Sequence, residues 1–234
     1  MDCFTFANVK QNFGMQNGIQ RFWILVQGEI TADLKKPFFI SAAMLQLLTI
    51  GMLCYLGNPN IQIKTWNSLF WIALIFSTFQ TISRGFTGIS RNRWIYLNQL
   101  ASPFLIVMSK IAYHGLQMAI FSTLNLLIFS LLLGYPVQHG LVYMTALMLT
   151  GLGISTIFTM ISAIAGKTHQ PGVVAPVLSL PVILPMILVG MQASQKALQP
   201  ILVSSVYKDL WLLAALNFLV LVLSGILFTP LWRD

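Results

Sequence analysis

The sequence predicts an all-α integral membrane protein: six transmembrane helices preceded by an amphipathic helix lying at the membrane surface. Three observations predict it. The chain has 234 residues, of which 57% are hydrophobic and only 8% charged, against roughly 25% charged in an average soluble domain. Its apolar residues fall into six runs, and at about 20 residues per crossing each run is of the length a bilayer span requires. Its 13 Lys and Arg outnumber five Asp and Glu, for a formal charge of +8. They stand mainly between the runs, where basic residues set orientation.

Residues 1–18 form a polar arm without an apolar stretch of signal-peptide length. Met15 is an alternative start within it. In residues 19–36, Ile19, Phe22, Val26 and Ile30 recur three or four apart, with Arg21, Glu29 and Asp33 between them. That period suits a helix lying in the membrane surface. Lys35, Lys36 and Pro37 close it, and the six-helix domain occupies residues 37–234.

The first span, 38–56, is free of charge. After the turn Asn58-Pro59-Asn60, the second covers 66–83, with Trp66 and Trp71 expected as interfacial anchors. The third covers 104–133, where Lys110 would reach back to the headgroups by its long stem; Gly134, Tyr135 and Pro136 end it. The fourth, fifth and sixth cover 141–165, 173–191 and 210–229, with Trp211 and Trp232 flanking the last. Residues 192–209 are expected as an outer connection whose short apolar run, Ile201–Val206, could dip into the outer leaflet as a re-entrant element. With the N-terminus inside, Lys10, Arg21, Lys35, Lys36, Arg84, Arg91, Arg93, Lys110, Lys167 and Arg233 are cytoplasmic, and only Lys64, Lys196 and Lys208 are outside. The bias places both termini in the cytoplasm. It also puts Cys3 and Cys54 on opposite faces, so no disulfide is expected between them.

The basic residues are dispersed among apolar runs and form no stripe with interleaved aromatics, which argues against nucleic acid as a partner and leaves membrane lipid. Gly166-Lys167-Thr168 matches the end of a phosphate-binding P-loop, but Ile161 stands where its first glycine belongs, and a span precedes it instead of a strand. Any ATP used must therefore be bound by another chain. His114, His139 and His169 have no helical i, i+4 spacing and differ in depth, so no shared metal site is expected. His114 reads more simply as a polar group facing other helices than as a substrate contact. Ser155 has no histidine base in the fifth or sixth span, and no paired acids lie within the spans. No catalytic residue is assigned and an enzyme is not expected; the lack of buried acids also disfavours a proton-coupled carrier.

Gly151, Ser155, Thr159 and Ala163 form a small-residue ribbon along the fourth span, suited to close helix packing within the bundle. Pro176, Pro181 and Pro185 each remove a backbone donor from the fifth, which suggests a kinked or broken helix beside a cavity. The stretch from Arg84 to Pro103 holds Arg84, Arg91 and Arg93 with Trp94 and Tyr96. It would make an amphipathic inner-surface helix that either anchors in the interface or docks a soluble partner.

The segments WNSLFWIALIF (Trp66–Phe76), LASPFLIVMSKIAYH (Leu100–His114), LLLGYPVQ (Leu131–Gln138), TMISAIAGK (Thr159–Lys167) and VLSLPVILPMIL (Val177–Leu188) resemble the CcmB-like haem exporter permeases of cytochrome c maturation. The resemblance covers about Glu29 to Pro200. It implies an ABC-2 type permease of the bacterial inner membrane, two copies per complex, with a CcmA-like ATPase subunit docked on the cytoplasmic side. It further implies C-like and D-like membrane partners and a periplasmic haem carrier protein. Haem would be a handled or transported ligand, with no bound cofactor assigned. Carried onto this chain, residues 19–36 look like the family's elbow helix, and Arg84–Ser102, including Arg91, Arg93, Trp94 and Tyr96, like its ATPase-coupling helix. The family's coupling segment often carries acids after the second span, whereas Gly85–Ser90 has none. The alternatives are an ABC-2 permease for a lipid, glycan or drug, and a channel or secondary carrier acting alone.

Overall fold

A computed structural model describes residues 18–34, 37–57, 61–82, 102–166, 168, 170–200 and 204–231. Among them there are seven helices and no strand. They are α1 (Gly18–Leu34), α2 (Pro37–Gly57), α3 (Ile63–Ile82), α4 (Pro103–Leu133), α5 (Gly140–Ala165), α6 (Pro171–Ala197) and α7 (Ser204–Leu231). The all-helical expectation is met. Four of them contain stretches long and apolar enough to cross a membrane: Phe104–Leu133, Gly140–Ala165, Val173–Ala197 and Ser205–Ile226. Met44–Gly57 within α2 is a shorter apolar helix.

The bundle is built around α5, which packs against α4, α6 and α7 and touches α3. Its most apolar window is 78% buried, against 17–35% in the other three crossing helices. The sequence explains why α5 takes the centre. Gly151, Gly153, Ser155, Thr156, Thr159, Ser162, Ala163 and Ala165 are all buried, and small side chains let neighbouring backbones approach where lipid supplies no hydrophobic drive. The threonine hydroxyls are satisfied within the helix: Thr150 donates to Ala146 O at 2.7 Å, Thr156 to Leu152 O at 2.8 Å and Thr159 to Ser155 O at 2.6 Å. The ribbon Gly151, Ser155, Thr159 and Ala163 thus packs inside the bundle.

The connections around α5 are short, which makes consecutive helices antiparallel neighbours. α4 stops at Gly134, whose φ of 83° is the single positive φ among the described residues. Glycine adopts that left-handed backbone without the Cβ penalty other residues carry. In the turn that follows, the His139 backbone N–H donates to Ala197 O at 3.1 Å, tying the α4–α5 turn to the end of α6.

Several features differ from the sequence expectation. α6 runs on to Ala197 and α7 begins at Ser204, so 198–203 are all that lies between them where a longer outer connection, 192–209, was expected. Lys196 closes that corner by an ion pair to Asp209 at 2.6 Å. Trp66 and Trp71 are not interfacial: they are 2% and 0% exposed. Trp66 stacks on Phe70 at 5.6 Å, and both rings meet Phe129 and Tyr143. A tryptophan ring buries so much apolar area that an interior site at the end of a bundle can outcompete the interface. Trp211, by contrast, is 76% exposed. α6 is continuous through Pro176, Pro181 and Pro185 and is not broken. Cys54 is buried and free.

At Gly190, α6 lies tightly against α5: a Cβ there would stand 2.4 Å from Thr150 Oγ1. Thr150 is β-branched and holds its own hydrogen bond, so it has no easy escape. At Gly153 the obstacle is the terminal methyl of Met186, which can swing aside. Gly190→Ala should therefore destabilise the detergent-solubilised protein by about 1–3 kcal/mol through overpacking, read as a lowered thermal midpoint. Gly153→Ala should move the midpoint less; the reverse order would contradict this account of the α5–α6 seam.

Candidate functional site

Three of the described charged residues, Glu29, Asp33 and Lys110, come together where α1 meets α4. Glu29 and Asp33 lie one turn apart on α1, and Lys110 and Tyr113 lie one turn apart on α4, so each pair shares a helix face. Glu29 Oε1 is 2.9 Å from Lys110 Nζ. The Tyr113 hydroxyl donates to Asp33 Oδ2. Lys110 is 2% exposed and Glu29 19%. Lys110 therefore does not extend to headgroups: it turns inward because a carboxylate is available on α1, and a buried ammonium needs such a partner. The face of α1 that meets the bundle carries Val26, its buried residue, with Glu29 and Asp33 one and two turns on, while Ile19 and Trp23 are exposed. The two acids that stand between the apolar positions of α1 are the ones that dock it.

His114 is buried beside this pair, its ring 5.2 Å from Tyr113. Its Nδ1 is 3.2 Å from Gln117 Oε1 on the same helix, and its Nε2 has no hydrogen-bond partner among the described residues. It belongs to the helix interface and does not line the groove described below. Among the described residues no three His, Cys, Asp or Glu side chains come together as a metal site.

A second polar node joins the N-terminal half of α3 to the C-terminal part of α6. Asn67 Nδ2 donates to Met191 O at 3.1 Å, and Trp71 Nε1 donates to Ser194 Oγ at 2.9 Å. The Ser194 hydroxyl is 3.1 Å from Asn67 Oδ1 and 3.0 Å from Met191 O. Two further asparagines repeat the device: Asn125 Nδ2 donates to Phe70 O at 3.0 Å, and Asn217 Nδ2 to Leu149 O at 2.9 Å. A helix carbonyl has a second lone pair, so it can accept from a neighbouring helix without losing its own bond. Sequence reasoning passed over Ser194 and the three asparagines; the legible signal was an asparagine inside each of three apolar runs.

Between α4 and α5 an apolar groove of about 290 Å³ is lined by Gly115, Ala119 and Ser122 on one side and Leu147, Gly151 and Leu152 on the other. Pro181 and Pro185 are exposed on α6, away from this groove. The Pro176 ring and the basic segment with Arg84, Arg91, Arg93, Trp94 and Tyr96 lie outside the described residues. Thr168, of the tripeptide resembling a P-loop, donates its hydroxyl to Ala165 O at 2.7 Å and so serves the end of α5.

A protein-family model described as CcmB protein matches residues 21–230. The chain belongs to the CcmB family. No curated protein and no solved structure matches it. CcmB membership makes the chain a multi-pass membrane permease component of a haem-exporting ABC system in cytochrome c biogenesis. The matched span takes in α1, α4 and both polar nodes, so the charged contact and the asparagine latches lie within the CcmB unit itself.

Lys110→Met should take the Lys110 ammonium from the half-buried Glu29 and destabilise the protein by about 1–3 kcal/mol. The double variant Lys110→Met/Glu29→Gln should recover much of that loss, measured by unfolding in mixed micelles as a double-mutant cycle. Simple additivity of the two single losses would contradict the pairing. At the other node, Ser194→Ala with Asn67→Leu should show a coupling of about 0.6–1.7 kcal/mol, the range for hydrogen bonds between helices in lipid.

Proposed function

We propose that this CcmB chain is the non-catalytic permease subunit of an ATP-driven exporter of the bacterial inner membrane. Two copies form the pore unit, with both termini cytoplasmic, and the complex acts in haem delivery by releasing a haem-loaded carrier into the periplasm. The family match over residues 21–230 carries this reading. The charge distribution supports the orientation, with ten of the 13 basic residues on the side assigned to the cytoplasm.

ATP would be bound and hydrolysed by a CcmA-like subunit docked on the segment around Arg84, Arg91, Arg93, Trp94 and Tyr96. C-like and D-like membrane subunits complete the assembly. Closure of the ATPase would push on that segment, which lies in sequence between α3 and α4. α1 supports this role because its two acids fix it to α4 through Lys110 and Tyr113, so a movement of α4 carries the surface helix with it. An interfacial helix bonded in this way resists tilting of α4 out of the bundle.

Arg91→Glu/Arg93→Glu should abolish co-purification of the ATPase subunit in mild detergent and, in a deletion strain, fail to restore haem-stained c-type cytochromes that the unaltered chain restores. Retention of the ATPase by the doubly reversed variant would overturn the docking assignment. Normal c-type cytochromes in the deletion strain itself would overturn the haem reading and favour another cargo.

A further inference from the structure

We propose that α2 carries a homodimer seam: Ala42, Gln46, Thr49, Leu53 and Leu56 pack against the same residues of a second copy, and the two Gln46 amides bond to each other across the twofold axis. This rests on the proposed presence of two copies and names the surface that joins them. The five residues are spaced four, three, four and three apart, the repeat that keeps one stripe of a helix facing a single neighbouring helix along its length. Leu53 and Leu56 are 64% and 71% exposed, Thr49 is exposed, and Ala42 and Gln46 are half-buried. A different side of α2 faces the bundle. Leu47 is fully buried beside Phe121, Gly51 lies where an added Cβ would meet Ile128 and Leu132 of α4, and buried Cys54 continues that side.

Gln46 identifies the occupant. It lies in the apolar stretch Met44–Gly57, and with α2 as the first span it stands near mid-bilayer depth. Its Oε1 is buried, and the side chain makes no hydrogen bond among the described residues. Its neighbour on the stripe differs: the Thr49 hydroxyl donates to Leu45 O at 2.8 Å. An amide left unbonded in hydrocarbon is costly, and Asn67, Asn125 and Asn217 each avoid that cost by bonding a neighbouring helix. Lipid tails offer neither donor nor acceptor. A second Gln46 offers both, because each amide presents N–H groups and a carbonyl, so two copies exchange two bonds. The side chain is half-buried, so rotation about its torsions is open to bring both amide atoms to the seam. Two chains inserted in the same orientation are related by an axis along the membrane normal, which lays α2 parallel to its own copy and sets equal positions face to face. A single polar residue in such a seam fixes the register and the number of helices that meet.

Cysteine cross-linking tests this in the full chain, in membrane vesicles, after Cys3 and Cys54 are replaced by serine. Thr49→Cys or Leu53→Cys should give a disulfide-linked dimer on oxidation with copper phenanthroline. Leu48→Cys and Tyr55→Cys, exposed on another face of α2, should not. In vesicles diluted with excess lipid, Gln46→Leu should lower the dimer association constant about 3- to 18-fold, the range for one bond between helices in lipid, and Gln46→Asn should retain most of it. Single-molecule photobleaching counts the copies independently of cross-linking. Two copies with cross-links at 48 and 55 and none at 49 and 53 would overturn the seam and leave the two-copy reading standing. A chain that stays single, even with the ATPase subunit bound, would overturn both. Cross-linking of 49 or 53 to a protein of another mass would overturn the second copy as occupant, and association indifferent to Gln46→Leu would overturn the amide pair.

Discussion

Close backbone approach along α5 is the constraint on which the rest of the bundle depends. In lipid there is no hydrophobic gain from pressing one apolar helix against another, so association rests on packing and on bonds between helices. α5 meets that condition by carrying small and hydroxyl-bearing residues on nearly every face. α6 can lie against it because Gly190 faces Thr150, and α7 because Asn217 reaches Leu149 O. On the α4 side Gly115 receives the Leu152 side chain, whose tip would be 2.8 Å from an added Cβ. A larger residue at the centre would force several neighbours outward at once, since all of them share one helix as their support.

With apolar contact nearly neutral between lipid and protein, polar groups decide which helices stay together. Asn67, Asn125 and Asn217 sit in different helices, and each spends an amide N–H on a backbone carbonyl of a neighbour. The alternative for each amide is an unsatisfied donor in hydrocarbon, which is costly enough to fix the pairing. These bonds join α3 to α6, α4 to α3 and α7 to α5, so they cross-link the helices that flank the hub as well as those that touch it. The aromatic cluster of Trp66, Phe70, Phe129 and Tyr143 fills the space between two of those links.

Much of this was legible in the sequence and some was not, for a physical reason that differs by residue. The helical class follows from composition and length, because an apolar run of that size has few other fates. The small-residue ribbon on α5 was legible too, since Gly, Ser, Thr and Ala at i+4 spacing have a direct packing meaning. Lys110 was misread because one helix at a time was considered. A lysine near a span end can extend to headgroups or turn inward, and only the presence of Glu29 some 80 residues earlier decides it. Trp66 and Trp71 failed for the same reason: their burial depends on Phe129, Tyr143 and Ser194, which come from three other helices. The candidate coupling segment rests on its residue pattern alone.

The five acids show how tightly these contacts are apportioned. Asp2 and Asp234 lie outside the described residues, and each of the other three holds a structural contact: Glu29 and Asp33 on α4, and Asp209 on Lys196. In the described bundle no carboxylate is left over to relay a proton or to activate a nucleophile, so such chemistry would have to begin by breaking a structural bond. A part built this way is suited to transmit force. Its charged contacts hold a surface helix to α4 and close the corner between α6 and α7, while its middle is held by neutral amides and hydroxyls. Work done on one end would then reach the other through packed helices, as the proposed role of a permease subunit driven by a separate ATPase requires.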